Sequence, residues 1–273
     1  MDRTDGLPQV QGIQLIGTHH LPDRIKPIFP FPVFNAIQPK CYQTVYRTDD
    51  NFVLSSPTGS GKTAILELAI CRLAASYTGK DFKVVYQAPT KSLCSERAKD
   101  WSKKFSHLNL KCVEFTGDTD QGQMRTVQSA DILVTTPEKW DSMTRQWRDY
   151  RKLMDLVKLF LVDEVHILKE DRGASLEVVV SRMKSVGTDV RLIALSATVP
   201  NSEDIANWFG KNNRVPGMPA GREVFGEDFR PVKLQRHVVG LQGTNMNDFA
   251  FDSACNSKYV PRCRLHGYGA DLS

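Results

Sequence analysis

A glycine-containing segment, Ser56–Thr63, carries the clearest chemical signal in this 273-residue sequence. It follows the apolar run Asn51–Ser55 and opens a helical pattern, so a strand and a helix should flank it. Gly59 and Gly61 let the backbone fold closely around phosphate oxygens, and the first N–H groups of the helix point at the same oxygens. The segment therefore predicts a phosphate-binding P-loop, formed by Pro57, Thr58, Gly59, Ser60, Gly61, Lys62 and Thr63.

Two side chains of this loop have predicted roles of their own. Lys62 should reach the β- and γ-phosphates of a nucleotide, and Thr63 should ligate Mg²⁺. Ser56 departs from the general pattern, which has a glycine at this position. The alternative is a glycine-rich turn without a ligand, but the flanking strand and helix favour the P-loop.

An acidic pair, Asp163-Glu164, ends a second apolar run, Leu159–Val162. A carboxylate at the end of a parallel strand lies at the carboxyl edge of the sheet, beside the phosphate loop. Asp163 would bind Mg²⁺ through water, and Glu164 would polarise the attacking water as general base. Alone, such a pair is more often a helix cap. Together with an upstream P-loop it predicts a hydrolytic site.

A third segment, Ser196-Ala197-Thr198, also follows an apolar run. Taken singly it could be a turn. The order of the three segments resembles that in superfamily 2 DExH/DEAD-box helicases, and Asp163–His166, Thr136–Trp140 and Ser196–Trp208 are similar to the Ski-type branch. Phe34–Tyr42 and His166–Gly173 resemble the meiotic crossover DNA helicases within that branch. The resemblance covers about residues 22–240.

This resemblance assigns further roles. It adds His166 to the catalytic set, makes Gln38 an amide that hydrogen-bonds adenine, and lets Ser196, Ala197 and Thr198 couple ATP hydrolysis to nucleic-acid contact. Three strand-to-helix segments would line a nucleic-acid track, because their N–H groups, hydroxyls and cations suit phosphates without reading bases. The alternative for each is a turn with a capping residue. The track residues are Pro89, Thr90, Lys91, Thr116, Gly117, Thr136, Pro137, Glu138 and Lys139.

The resemblance also implies ATP and Mg²⁺ as cofactors, single-stranded or branched nucleic acid as partner, and a nuclear location. DNA rather than RNA follows from the resemblance alone, because no residue pattern reads or excludes a 2′-hydroxyl. No apolar run approaches the ~18 residues of a membrane helix, and the first residues lack the features of a secretion signal. An intracellular, non-secreted protein is expected, with its oligomeric state open.

Short apolar runs alternate with amphipathic stretches, which indicates an α/β fold with a doubly wound, mostly parallel sheet. With the P-loop, this is the RecA-like P-loop NTPase class. Asn201 should cap the last helix, with Asp204 completing a capping box. Strands are predicted over residues 51–55, 83–87, 111–115, 131–135, 156–163 and 190–196, and helices over residues 62–77, 92–104, 174–184 and 201–209.

Four regions follow. Residues 1–33 form a proline-rich lead-in, residues 34–215 the ATP-binding domain, residues 216–240 the start of a connection toward a second lobe, and residues 241–273 a tail without a clear pattern. Family members hydrolyse ATP between two lobes, and the second supplies an arginine finger. We expect that lobe to be absent here, since residues 199–273 show no second run of strand–helix units.

Two functions remain open. The chain is either the ATP-binding lobe of an ATP-dependent DNA helicase, or a truncated product that holds ATP and nucleic acid without unwinding. An unrelated P-loop kinase or GTPase is disfavoured by the Asp163–His166 and Ser196–Thr198 segments.

The P-loop assignment predicts that Lys62→Ala weakens nucleotide binding. Loss of a charge-assisted contact to phosphate should raise the dissociation constant about 10- to 100-fold. Titration with a fluorescent ATP analogue measures this, and Lys152→Ala, outside all the motifs, is the control. Equal ATP affinity in the wild type and in Lys62→Ala would refute the assignment.

Overall fold

The computed structural model describes residues 9–77, 81–117, 121–146, 150–170, 173–186, 190–212, 214–215, 217–233, 247 and 249–255. The chain divides into two compact units, residues 1–233 and residues 234–273. In the second unit, residues 249–255 are helical. Most of the predicted tail therefore lies outside the described residues.

A seven-stranded sheet forms the centre of the first unit, and every pair of neighbouring strands in it is parallel. The strand order is β5-β6-β4-β7-β8-β3-β9, and a separate antiparallel pair, β1-β2, precedes it in the chain. The predicted parallel sheet is confirmed. The strands are β1 Gln9–Val10, β2 Ile13–Gln14, β3 Phe52–Ser55, β4 Lys83–Gln87, β5 Cys112–Phe115, β6 Ile132–Thr135, β7 Val157–Val162, β8 Arg191–Ser196 and β9 Gly221–Val224.

Helices cover both faces of this sheet. Along β3, Phe52 and Leu54 join the core beneath α1, α2 and α3, whereas Val53 joins the core beneath α5 to α8. This alternation is what a strand buried on both faces requires, and it confirms the doubly wound class. The helices are α1 Ile37–Arg47, α2 Thr63–Ser76, α3 Lys91–Lys104, α4 Gln121–Ser129, α5 Pro137–Arg145, α6 Arg151–Leu156, α7 Gly173–Val186 and α8 Ser202–Phe209.

Apolar spacing correctly located the predicted helices. In α7, Leu176, Val179, Val180 and Met183 are all fully buried, as their helical spacing indicates. The sequence pattern did not reveal α1, because Pro39 lies close to its start. That proline is in the first turn of the helix, where its missing N–H costs no intrahelical hydrogen bond.

The proline-rich segment packs into the domain. Leu21, Ile25, Ile28 and Phe29 are buried in the same core as α1 and α2, and a short 3-10 turn spans Lys26–Ile28. The prolines exclude long helices, but they do not prevent apolar side chains from being buried. The predicted boundary at residue 33 stays a prediction.

Two details differ from the expected pattern at the other end of the domain. Strand β9, within the predicted connection, pairs in parallel with β3 as a half-buried edge strand. Helix α8 begins as expected, but the predicted cap is wrong, because the side chain of Asn201 makes no capping hydrogen bond. Its backbone has φ −101° and ψ 29°, away from the extended conformation of most N-caps.

The buried segment before α1 predicts a stability effect of Ile28→Ala. Removing a fully buried isoleucine should lower the free energy of unfolding by about 2–5 kcal/mol. Chemical denaturation measures the change, and Val10→Ala is a control because Val10 is 42% exposed. If Ile28→Ala unfolded at the wild-type denaturant concentration, residues 21–29 would not belong to the cooperative core.

Candidate functional site

Apart from Gln38, which lies in α1, the predicted site residues lie at the carboxyl edge of the sheet, because each segment follows one of its parallel strands. The segments after β7, β8 and β3 are Asp163–His166, Ser196–Thr198 and Ser56–Thr63. Strands β5, β6 and β4 occupy the other half of the sheet, and the predicted track segments follow them. The edge therefore has a half with the P-loop and a half with the predicted track.

Two glycines in the segment Ser56–Thr63 have left-handed backbone angles. Gly59 and Gly61 have φ of +79° and +83°, values that residues other than glycine rarely adopt. Ser56, the departure from the pattern, is fully buried, and its Oγ lies 3.0 Å from Oγ of Ser60. The Ser56 backbone N–H donates to the Ser196 carbonyl (3.1 Å). A serine is thus compatible with the loop at this position.

Lys62 lies at the centre of this half of the edge. Its ammonium donates to the backbone carbonyls of Ser56 (2.9 Å) and Ser196 (3.2 Å). Burial lowers the pKa of Lys62, and the charges of Glu164 and Asp163 oppose that shift. Arg230, which follows β9, lowers the pKa further through its own positive charge. Arg230 is thus a cation close to the P-loop that the sequence motifs did not reveal.

Two amides hold the P-loop from the side of α1. Gln38 Nε2 donates to the Gly61 carbonyl (3.1 Å), and Asn35 Nδ2 donates to the Ser60 carbonyl (2.8 Å). Gln38 Oε1 accepts the backbone N–H of Asn35 (2.9 Å). A Cβ at Gly61 would lie 2.7 Å from Asn35 Nδ2, so this approach requires glycine. Asn35 had no role predicted from the sequence, although it lies in the segment Phe34–Tyr42 together with Gln38.

The acidic pair is oriented by its own backbone and by a neighbouring strand. Asp163 Oδ2 accepts a hydrogen bond from Tyr86 Oη (2.7 Å), and Oδ1 accepts the Glu164 N–H (3.0 Å). Glu164 has left-handed backbone angles, φ 53° and ψ 47°, at the point where the strand ends. Oε2 of Glu164 lies 3.3 Å from Nδ1 of His166. The structure therefore groups all three predicted residues.

The Ser-Ala-Thr segment is tied to the strand that carries the P-loop. Ser55 Oγ donates to the Ala197 carbonyl (3.2 Å) and accepts the Val199 N–H (3.2 Å). Ser196 Oγ is buried without a hydrogen-bond partner among the described residues, and Thr198 is exposed. The segment is thus joined to the P-loop through both Ser55 and Lys62.

A guanidinium that no motif includes contacts the P-loop threonine. Arg97 Nη2 donates to Thr63 Oγ1 (3.4 Å), and its Cζ lies 5.9 Å from the centre of the Tyr86 ring. Tyr86 and Arg97 come from β4 and α3, between the recognised segments. Sequence spacing gives no signal for either residue, because only the fold brings them to Thr63 and Asp163.

In the other half of the edge, two predicted track threonines cap helices. Thr90 Oγ1 accepts the Leu93 N–H (3.3 Å) and Thr136 Oγ1 accepts the Lys139 N–H (3.4 Å), as the alternative interpretation expects. The nine predicted track residues differ in how exposed they are. Thr90, Lys91 and Gly117 are exposed, Thr136 and Pro137 are buried, and Pro89, Thr116, Glu138 and Lys139 are intermediate.

The donor set fits the implied cofactors. The Thr63 hydroxyl and the Asp163 carboxylate are oxygen ligands of the kind that Mg²⁺ prefers. The Lys62 ammonium, now on two carbonyls, is the group that phosphate oxygens would attract. Among the described residues, no helix combines the length and apolar character needed to cross a membrane.

Two curated relatives are similar in sequence to this chain over most of its length. It is 48% identical to the Probable ATP-dependent DNA helicase HFM1 of Homo sapiens, covering 90% of this chain and 18% of the relative. It is 44% identical to the ATP-dependent DNA helicase MER3 of Saccharomyces cerevisiae, covering 92% of this chain and 21% of the relative. The chain thus spans about a fifth of the length of these relatives.

Solved structures and a family model agree with the fold and the motifs. A crystal structure of the DUF1998 helicase MrfA bound to DNA and AMPPNP superimposes with a TM-score of 0.62 at 20% identity, covering 81% of this chain and 30% of that one. The DEAD/DEAH box helicase model matches residues 35–205. Since this match covers more than half of the chain and includes the P-loop, the acidic pair and the Ser-Ala-Thr segment, the chain belongs to the DEAD/DEAH box helicase family.

Proposed function

We propose that this chain is the ATP-binding lobe of an ATP-dependent DNA helicase, and that it binds ATP·Mg²⁺ and single-stranded nucleic acid. The observation that carries the proposal is the position of the Lys62 ammonium. It lies between the Ser56 and Ser196 carbonyls, close enough to Asp163 and Glu164 for their charges to affect its pKa. A phosphate cradle, a metal-ligand carboxylate and a candidate base thus meet at one edge of the sheet.

In this proposal each group keeps a single role. Lys62 and the loop N–H groups would hold the phosphates. Thr63 would ligate Mg²⁺ and Asp163 would hold it through water, and a bound Mg²⁺ would supply neutralisation of charge on the phosphates. Glu164 would accept a proton from the attacking water. His166 belongs to the same proposed catalytic set, and its Nδ1 lies 3.3 Å from Glu164 Oε2. Ser196, Ala197 and Thr198 connect the nucleotide half of the edge with the track.

Gln38 is proposed to contact adenine while it supports the P-loop. One of its Nε2 hydrogens binds the Gly61 carbonyl, and an amide nitrogen carries two hydrogens. The second hydrogen and the remaining lone pair of Oε1 suit an acceptor and a donor on the edge of the base.

The nucleic-acid track is proposed to follow the half of the edge formed by β4, β6 and β5. Thr90, Lys91 and Gly117 are exposed there, and a hydroxyl, a cation and an exposed backbone suit phosphates. Thr136 and Pro137, which are buried, would act by presenting the N-terminus of α5. The preference for DNA is proposed from the names of HFM1 and MER3, both of which state a DNA helicase. The nuclear location is proposed from the resemblance to meiotic crossover DNA helicases.

Hydrolysis and unwinding are proposed to need a second lobe. The site groups described above all come from one lobe, and an arginine finger from elsewhere is associated with ~10³–10⁵ in rate. A second candidate function is a module that binds ATP and nucleic acid without helicase activity. The short span of the chain relative to HFM1 and MER3 is the observation that keeps it open.

A binding and turnover assay tests the proposed lobe. The purified chain should bind ATP·Mg²⁺ and a single-stranded DNA oligonucleotide, with little DNA-stimulated hydrolysis. Glu164→Gln should leave nucleotide affinity intact and remove residual turnover. Brisk ATPase activity stimulated by single-stranded DNA would contradict the need for a second lobe. Fusion to the second lobe of a complete family member separates the two functions, because only a helicase lobe should regain stimulated hydrolysis.

The proposed adenine contact predicts a difference between nucleotides. Gln38→Ala should lower affinity for both ATP and GTP by weakening the loop, with an additional loss of about 3- to 10-fold for ATP. Competition against a fluorescent analogue measures both affinities. Asn35→Ala is the matched control, since it removes a bond to the loop (2.8 Å, to the Ser60 carbonyl) without a base contact. Equal losses for ATP and GTP in Gln38→Ala would exclude a contact with adenine.

A further inference from the structure

Each of the two proposed magnesium ligands is held by a side chain outside the family motifs. The Tyr86 hydroxyl donates to Asp163 Oδ2 (2.7 Å), and Arg97 Nη2 donates to Thr63 Oγ1 (3.4 Å). The two supporting side chains also contact one another, because the Arg97 guanidinium lies over the Tyr86 ring. Tyr86 and Arg97 therefore form one connected pair of side chains that contacts both Asp163 and Thr63.

The fold fixes Tyr86 in place. Strand β4 lies beside β7, with Tyr86 opposite Leu161 and Gln87 opposite Val162, so the tyrosine is next to the strand that ends in Asp163. Its ring is 1% exposed and packs edge-on against Trp101, with centroids 5.0 Å apart. The hydroxyl therefore reaches Asp163 from a rigid position.

Arg97 is held by aromatic contacts and by a partly buried ion pair behind them. Its Cζ lies 5.5 Å from the centre of the Trp101 ring. The indole N–H of Trp101 donates to Glu67 Oε1 (3.1 Å), and Lys104 Nζ donates to the same oxygen (2.8 Å). The Arg97 guanidinium thus lies near two aromatic rings, and the Trp101 ring is itself fixed by its hydrogen bond to Glu67. A guanidinium held in this way loses little conformational entropy when it makes a hydrogen bond.

The chemistry of these contacts suits support of a metal site. The Tyr86 hydroxyl is the donor in its 2.7 Å hydrogen bond to Asp163 Oδ2, because a carboxylate oxygen can only accept. With the Glu164 N–H on the other oxygen, the carboxylate is fixed in orientation and still has free lone pairs. The Thr63 oxygen likewise accepts from Arg97 and retains a lone pair for a cation.

We propose that Tyr86 and Arg97 are positioning residues for magnesium-dependent nucleotide binding, acting through Asp163 and Thr63. This inference rests on the proposed function, because it takes Thr63 and Asp163 as the metal ligands. Groups that orient ligands in this way strongly affect metal affinity, typically by 10- to 100-fold. Substitution of Tyr86 or Arg97 should therefore change the dependence of nucleotide binding on Mg²⁺ and leave metal-free nucleotide binding unchanged.

The first test is Tyr86→Phe in the 273-residue chain. A fluorescent ATP analogue is titrated at a series of Mg²⁺ concentrations and in EDTA. The Mg²⁺ concentration for half-maximal binding should rise about tenfold, with affinity in EDTA equal to the wild type. Tyr46→Phe is the matched control. Tyr46 lies at the far end of α1 from Gln38, where its ring stacks on Tyr42 at 5.0 Å.

A second variant and a double mutant make the test independent of one substitution. Arg97→Lys keeps the positive charge but loses the planar fork, so it should also raise the required Mg²⁺ several-fold. In an Asp163→Asn background, Tyr86→Phe should cause no further change, because its effect passes through the carboxylate. Circular dichroism and thermal unfolding establish that each variant is folded.

Two sets of results would overturn the inference. An Mg²⁺ response in Tyr86→Phe and Arg97→Lys equal to the wild type would remove the positioning role, as would an equal loss of affinity in EDTA and in Mg²⁺. Failure of the proposed function gives a different pattern. In that case, the wild-type chain would bind nucleotide equally with Mg²⁺ and with EDTA, or Lys62→Ala would bind as the wild type does.

Discussion

The parallel direction of all seven strands in the central sheet is the constraint on which the site depends. Parallel strands end at the same edge, and each crossover helix begins there. Segments far apart in the chain, such as Ser56–Thr63, Asp163–His166 and Ser196–Thr198, are therefore brought together without any contact specific to them. The order of the strands then separates this group from the segments after β4, β5 and β6.

Within that frame, hydrogen bonds between segments give the site its geometry. Ser55, Ser56 and Lys62 all bond to the segment after β8, and Asn35 and Gln38 bond to the loop carbonyls. Buried polar groups are costly unless they are paired, so these contacts also favour one arrangement of the loops. The P-loop is held by α1 on one side and by β8 on the other.

The sequence predicted the parts of this arrangement that are local. Buried strands such as β3 and β7 are largely apolar runs. The segment Ser56–Thr63, which contains Lys62, and the acidic residue Asp163 are recognisable because each directly follows such a run. Strand β9 is short and half-buried, so it has no apolar run to detect. Helix α1 was missed because a proline in a first turn has the same sequence appearance as a helix breaker.

Side chains that act across elements could not be found in the same way. From the sequence pattern, Tyr86 is an ordinary strand residue and Arg97 is a charged residue of an amphipathic helix. Their contacts with Asp163 and Thr63 depend on the pairing of β4 with β7 and on the packing of α3 against α2. Neither this strand pairing nor this helix packing can be inferred from the spacing of residues within one segment. Asn201 shows the converse, because its residue type suggested a side-chain cap, whereas its backbone is not extended and its side chain makes no capping hydrogen bond.

The two carbonyl bonds of Lys62 have a consequence for the order of events. An ammonium has three hydrogens, and two of them are bound to the Ser56 and Ser196 carbonyls. In the proposed nucleotide complex, contacts with two phosphate groups would need at least two hydrogens, so the lysine would release at least one carbonyl. If it released Ser196, the P-loop would lose one of its hydrogen bonds to the Ser-Ala-Thr segment and would keep the one from the Ser56 N–H. Binding of phosphate would then weaken, without breaking, the connection between the loop and that segment.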